Sequence, residues 1–143
     1  MTIKLIQSYD SIYDKNEIFN LLSQLTYAPL ISTEHFESIL NGLNNNHQIF
    51  VYCKDNKIVG LITLLIEQKL IHNGACVAHI EDLVVDKKYN GQGIATELID
   101  FCIKQTEKRN CYKIILSCKR ELITFYEKSG FIENNVQMTK YFS

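Results

Sequence analysis

Apolar side chains recur along this chain at two different spacings, and the switches between them divide it into elements. Ile3 and Leu5 alternate with polar neighbours, which predicts a short first strand. Ile18, Leu21, Leu22 and Leu25 then share one helical face behind an Asp14 and Glu17 capping-box pattern, and Pro29 is expected to end that element. Ser32 or Thr33 caps a second helix in which Phe36, Ile39, Leu40 and Leu43 repeat the same period. The run Asn44, Asn45 and Asn46 breaks it, and strands are expected over 48–54 and 58–67, joined as a hairpin by Asp55, Asn56 and Lys57. Residues 77–85 read as a further strand, followed by the turn Asn90-Gly91-Gln92-Gly93 and a helix with Ile94, Leu98, Ile99, Cys102 and Ile103 on one side. After it come a short strand of buried type over 113–118, a helix over 121–128 stopped at Ser129 and Gly130, and a last strand over 136–142, with a further strand admitted at Phe131.

No repeat or linker interrupts this β α α β β β α β α β order, so residues 1–143 are read as one domain. The 15 Lys and Arg nearly balance the 16 Asp and Glu, leaving no field to gather nucleic acid or an anionic membrane, so any anion must be bound locally. No apolar run has the length of a membrane span, and the opening MTIKLIQSYD lacks the blocks of a signal peptide, so a cytoplasmic protein is expected. The five cysteines, Cys53, Cys76, Cys102, Cys111 and Cys118, form no CxxC pair and mostly lie in apolar stretches, which suits reduced, packed thiols. His35, His47, His72 and His79 have no ligand spacing with them, and no metal site is expected.

The unit that points to chemistry is strand, glycine turn, helix. A helix N-terminus presents unpaired N–H groups and a partial positive charge, and Gly91 and Gly93 remove the side chains that would block an approaching phosphate. A GxxxxGK[ST] loop is absent, and the single GxG lacks the third glycine and the early position of a dinucleotide fold. The stretch Asn90-Gly91-Gln92-Gly93-Ile94-Ala95 does resemble the acetyl-CoA motif of the GNAT acetyltransferases, (Gln or Arg)-x-x-Gly-x-(Gly or Ala), with Asn at the first position as a departure. Three further segments, 66–72, 79–85 and 111–116, together with Gln24-Leu25-Thr26 and 125–131, are similar to one family within it, the glucosamine 6-phosphate N-acetyltransferases.

That resemblance implies an α/β fold with a mixed sheet flanked by helices, acetyl-CoA as co-substrate and no metal, glucosamine 6-phosphate as acceptor, and a homodimer. It implies backbone contacts to the CoA pyrophosphate from Gly91, Gln92, Gly93, Ile94, Ala95 and Thr96, which an Asn at position 90 weakens without abolishing. It implies a bulge in the strand 77–85, where freed N–H groups polarise the acetyl carbonyl while Leu83, Val84 and Val85 pair with the pantetheine arm between the fourth and fifth strands. By strict alternation Glu81 and Asp82 would point apart; the resemblance makes them a substrate-contacting pair in which Asp82 holds the amine and receives or relays its proton.

Tyr126 matches the tyrosine beside the CoA sulfur, although its spacing with Leu122 and Phe125 equally fits a core stripe. Lys69, Leu70, Ile71 and His72 before the fourth strand, Tyr112 and Lys113 at the start of the fifth, and Thr26 or Tyr27 match the sugar-phosphate site, while taken singly the lysines are ordinary surface residues. Ser117 stands where relatives often carry an acid, leaving backbone contacts to the cofactor. Lys140 stands in the last segment near where relatives supply an arginine, in trans from the partner chain; a lysine gives charge without the bidentate fork. Two rivals remain at this stage: a GNAT acetyltransferase for another small amine or a peptide amine, and a non-catalytic acyl-CoA-binding module.

Overall fold

In a computed structural model that describes residues 3–7 and 15–142, five strands form one sheet in the order β1-β2-β3-β4-β5. They are β1 (Ile3–Leu5), β2 (His47–Lys54), β3 (Lys57–Gln68), β4 (Cys76–Val85) and β5 (Cys111–Ile115). The first four pair antiparallel and β5 joins β4 in parallel, which makes the sheet mixed. The helices are α1 (Lys15–Leu22), α2 (Thr33–Asn41), a short turn α3 (Ile71–Gly74), α4 (Ile94–Glu107) and α5 (Ile123–Glu127).

The centre of the sheet needs apolar residues on both faces, because both are covered. On one face Val59, Ile62, Leu64 and Ile66 of β3 pack with Ile94, Leu98, Ile99 and Cys102 of α4. On the other, Ile58 and Leu61 pack with Ile18 and Leu21 of α1 and Leu40 of α2. The tight hairpin leaves only Asp55 and Asn56 between the paired Lys54 and Lys57, at φ 53° and 59°. Two successive left-handed residues match the strand twist, and both residue types tolerate that backbone.

Gly60 sets how near α4 comes to the sheet. A Cβ there would stand 3.1 Å from Leu98 Cδ1, 3.2 Å from Tyr52 Cβ and 3.3 Å from Ile94 Cγ2, so a larger residue would push the N-terminal end of α4 outward. The Tyr52 hydroxyl fixes the same end by donating to Glu97 at 2.6 Å.

Several boundaries differ from the sequence expectation. Asp14 lies outside the described residues. Helix α1 stops at Leu22 and passes through turns to Thr26, whose N–H bonds Leu22 O at 3.1 Å, so Pro29 is not what ends it. Leu25 of the expected apolar face is exposed and adds no packing to prolong it. Ser32 rather than Thr33 is the cap of α2, its side chain accepting from His35 N at 3.1 Å. Strand β5 begins two residues earlier than expected and ends at Ile115, and the helix expected over 121–128 is a 3-10 turn (Arg120–Leu122) followed by α5.

The last strand, expected over 136–142, is absent, as is one at Phe131: neither stretch pairs with a strand. Val136 and Met138 are 88% and 91% exposed, so their alternating apolar pattern has no partner among the described residues. Cys118, expected with the packed thiols, is exposed; Cys102 is buried, which pushes its thiol up to about 12.

Candidate active site

The glycine turn meets α4 as its composition requires. Gly91 and Gly93 sit at φ 79° and 78°, where a side chain is strained, and open space lies where each Cβ would stand. Gly93 is the N-cap of α4 and has no side chain to cap with, so the first-turn N–H groups at Ile94, Ala95 and Thr96 keep the donor capacity that a helix start leaves over. A cradle whose missing side chains leave room for phosphate fits a diphosphate-bearing cofactor.

Strand β4 carries the expected bulge. Leu61 pairs with Val84 and Thr63 with Glu81, so Ile62 alone opposes Asp82 and Leu83. Asp82 takes φ 53°, a left-handed value that Asp adopts more readily than most residues. The extra residue switches the strand's faces: Ile80 lies in the α4-side core, Leu83 and Val85 pack against that same core, and Val84 enters the opposite one. Glu81 and Asp82 are both exposed at the switch, so the carboxylates are not divided between two covered faces as simple alternation would have them.

Beside the bulge the sheet opens. Pairing between β4 and β5 stops at His79↔Ile115, while β4 continues beside β3 to Gly60↔Val85. The edge from Ile80 to Val85 thus lies beyond the reach of β5 and leads toward the turn at α4. An extended chain can add there as a neighbouring strand.

A second irregularity groups the expected sugar-phosphate residues. Cys76 pairs with Cys111 but Val77 with Lys113, so Tyr112 is an extra residue at the start of β5. Its ring stacks on His72, with centroids 3.9 Å apart, and the Lys113 ammonium lies 5.6 Å from the Tyr112 centroid. His72 and Asn73 both have left-handed backbones, at φ 49° and 57°, inside α3, a turn the sequence did not indicate. Lys69 is held by Glu67 at 2.9 Å, and Glu67 also meets His79 at 2.9 Å. The hydrogen bonds from Lys69 first, then His79, hold the Glu67 carboxyl below its ordinary value. Leu70 and Ile71 project from the same turn and are exposed.

Tyr126 lies half-buried between Phe125 and Phe131, edge-on to each at 5.1 and 6.1 Å. Burial, then the neighbouring Cys118, raises its hydroxyl above the ordinary tyrosine value, so it stays a proton donor well into alkaline solution. Thr26, Tyr27, Ser117 and Lys140 are exposed, and no side-chain bond joins any of them to the groups above. A cavity of about 300 Å³ against α1 is lined by Asn16, Phe19, Asn20, Ser23, Ala28 and Leu30. It contains no titratable side chain and none of the candidate residues.

Two contacts escaped sequence reasoning. Gln24 accepts from Lys87 N at 3.0 Å, tying the end of α1 to the segment before the glycine turn. Lys54 reaches Gln92 from the far end of β2, a contact between residues 38 apart that no local pattern announces. Among the described residues no helix is long and apolar enough to cross a membrane, and no group of three or more His, Cys, Asp or Glu could hold a metal ion.

Comparison with known proteins agrees with this geometry. The acetyltransferase (GNAT) family matches residues 15–131. The chain is 33% identical over 137 residues to glucosamine 6-phosphate N-acetyltransferase of Arabidopsis thaliana, covering 92% of each sequence. It is 34% identical over 128 residues to the enzyme of that name from Trypanosoma brucei brucei, covering 87% of each. The crystal structure of the Arabidopsis glucosamine-6-phosphate N-acetyltransferase superposes with a TM-score of 0.90 at 32% identity, over the whole of both chains. With its mixed sheet, its glycine turn before α4 and its opened β4 edge, the chain belongs to the acetyltransferase (GNAT) family.

Proposed function

We propose that this protein transfers the acetyl group of acetyl-CoA to the amine of glucosamine 6-phosphate, giving N-acetylglucosamine 6-phosphate and CoA for UDP-N-acetylglucosamine synthesis. The observation that carries the reading is the bulged β4 edge, open beyond His79↔Ile115 and leading to the glycine turn of α4. The acceptor is supported by the relatives named for that reaction and by the grouping of His72, Tyr112 and Lys113.

In this reading the glycine turn and the first turn of α4, from Gly91 to Thr96, bind the cofactor's diphosphate, and Leu83, Val84 and Val85 bind its pantetheine arm as an added strand, with Ser117 contributing backbone from across the gap. The cofactor supplies an activated acetyl thioester. N–H groups freed at the bulge donate to the acetyl oxygen as negative charge develops on it, and Glu81 and Asp82 hold the sugar. Asp82 receives or relays the proton that the amine loses, and the Tyr126 hydroxyl donates to the departing sulfur. The nitrogen to carbon bond forms, the carbon to sulfur bond breaks, and no metal enters the balance.

Lys69, Leu70, Ile71, His72, Tyr112 and Lys113, with Thr26 or Tyr27, form the phosphate side of the acceptor site. The exposed apolar tail supports a homodimer in which Val136, Met138 and Phe142 pack on the partner and Lys140 reaches the partner's site. Five free thiols support a reducing, cytoplasmic setting.

A thiol-release assay with acetyl-CoA across glucosamine 6-phosphate, glucosamine, a polyamine and a peptide amine tests the whole reading. Turnover should be fastest with glucosamine 6-phosphate. Preference for another amine would identify a different GNAT acetyltransferase, and acetyl-CoA binding without turnover on any amine would leave an acyl-CoA-binding module.

A further inference from the structure

The family motif opens with Gln or Arg where this chain has Asn90, so the turn lacks the cation that an Arg would supply there. Another part of the molecule brings one. At the end of β2, Lys54 donates from Nζ to the Gln92 side-chain oxygen, and its ammonium lies 6.0 Å from the centroid of the Tyr89 ring. Tyr52 and Glu97 are joined at 2.6 Å and Gly60 admits α4 closely, so the end of β2 and the first turn of α4 are fixed against each other. The lysine does not arrive by chance of a mobile loop.

Among the described residues no carboxylate lies within ion-pair distance of Lys54. Glu97, the acid in the first turn of α4, is bonded to the Tyr52 hydroxyl instead. The half-exposed ammonium, held by an amide oxygen and near a ring face beside the positive end of a 14-residue helix, is available to an anion that approaches that end. The open space in front of Gly91 and Gly93 is where such an anion fits.

We infer that Lys54 binds the diphosphate of acetyl-CoA, supplying from a neighbouring strand the charge that Asn90 does not. The inference rests on the proposed cofactor site and adds to it a residue outside the motif. It also gives Gln92 a second task, since its side chain positions the ammonium while its backbone faces the phosphate.

Calorimetric titration with acetyl-CoA tests it. Lys54→Gln should raise Kd about three- to tenfold, as expected for a partly exposed charge-assisted contact, and make binding less sensitive to salt. The same rise is expected with 3′-dephospho-acetyl-CoA, whereas KM for S-acetylpantetheine, which has no diphosphate, should be unchanged. Adding Asn90→Arg to Lys54→Gln should restore most of the lost affinity. An unchanged Kd in a folded Lys54→Gln protein, a loss that vanishes with the dephospho compound, an equal loss with S-acetylpantetheine, or no recovery in the double variant would each overturn the inference. Gly93→Val separates it from the cradle itself: a β-branched residue at φ 78° should weaken acetyl-CoA binding severely. If Gly93→Val loses affinity and Lys54→Gln does not, only Lys54 is misassigned; if neither loses it, the cofactor site falls as well.

Discussion

Tyr112 and His72 lie ring on ring, with centroids 3.9 Å apart and planes 20° from parallel. The pair joins two backbone irregularities: the extra residue that opens β5 and the left-handed turn that precedes β4. Neither ring is buried deeply enough for core packing to explain it, and His72 is exposed. The stack holds the turn against the strand and leaves the Lys113 ammonium beside it.

His72→Asn tests that pair without disturbing the backbone, because Asn accepts a left-handed φ. Loss of a stack worth about 0.5–1.5 kcal/mol, together with a phosphate contact, should raise KM for glucosamine 6-phosphate about two- to twentyfold and leave KM for acetyl-CoA unchanged. Steady-state kinetics on both substrates would show it. Equal changes for both would make the stack structural only.

Asp82→Asn applies the same logic at the bulge. Asn tolerates φ 53° as Asp does, so the strand keeps its switch of faces while the carboxylate is lost. If Asp82 receives or relays the amine proton, kcat should fall by about 10²- to 10⁴-fold with little change in melting temperature. Undiminished turnover in the folded variant would take Asp82 out of the proton path.

Tyr126→Phe keeps a packed ring between Phe125 and Phe131 and removes only the hydroxyl. Donation to the leaving sulfur needs the protonated form, which burial and then Cys118 hold to a pH above the ordinary value of 10. The pH profile of the wild-type enzyme should therefore keep this donor through the neutral and mildly alkaline range and lose it only above that value. The Phe variant should show kcat lowered about ten- to a thousandfold and no such alkaline limb. An identical profile and rate in the variant would leave Tyr126 as a packing residue.

Lys140→Ala examines the tail and the partner chain together. A charge-assisted phosphate contact contributes roughly 1.5–3 kcal/mol, so KM for glucosamine 6-phosphate should rise about ten- to a hundredfold while unphosphorylated glucosamine is affected little. Equal losses on both sugars, or none on either, would remove Lys140 as the anchor. Mixing Lys140→Ala chains with Tyr126→Phe chains should recover activity above either parent, because one site of a mixed dimer collects both defects and the other is intact. No recovery despite subunit exchange would set Lys140 in cis or outside the site.

The elements that were legible are those whose pattern is local. The face Ile94, Leu98, Ile99 and Cys102 announces α4, and the turn formers at Asp55 and Asn56 announce the hairpin, because periodicity and backbone tolerance are properties of neighbouring residues. Boundaries were less legible. Pro29 marked a stop that α1 had already made at Leu22, since a helix ends where its apolar face runs out of partners. The alternating tail 136–142 reads as a strand by the same rule, yet a strand exists only when another edge bonds to it, and among the described residues none does.

Glycine placement and helical period survive without any tertiary context, so the strand-turn-helix unit at Asn90 to Ala95 and, through several separate motifs, the family are readable from the residues alone. Tertiary structure decided the rest of the site. Alternation assigns Glu81 and Asp82 to opposite faces, and only the pairing of three β4 steps against two of β3 shows where the chain inserts its extra residue. The stack of Tyr112 on His72, and the arrival of Lys54 at Gln92, depend on strand register and on how closely Gly60 lets α4 approach. Contacts between residues far apart in the chain are fixed by packing and hydrogen-bond geometry, which no local spacing encodes.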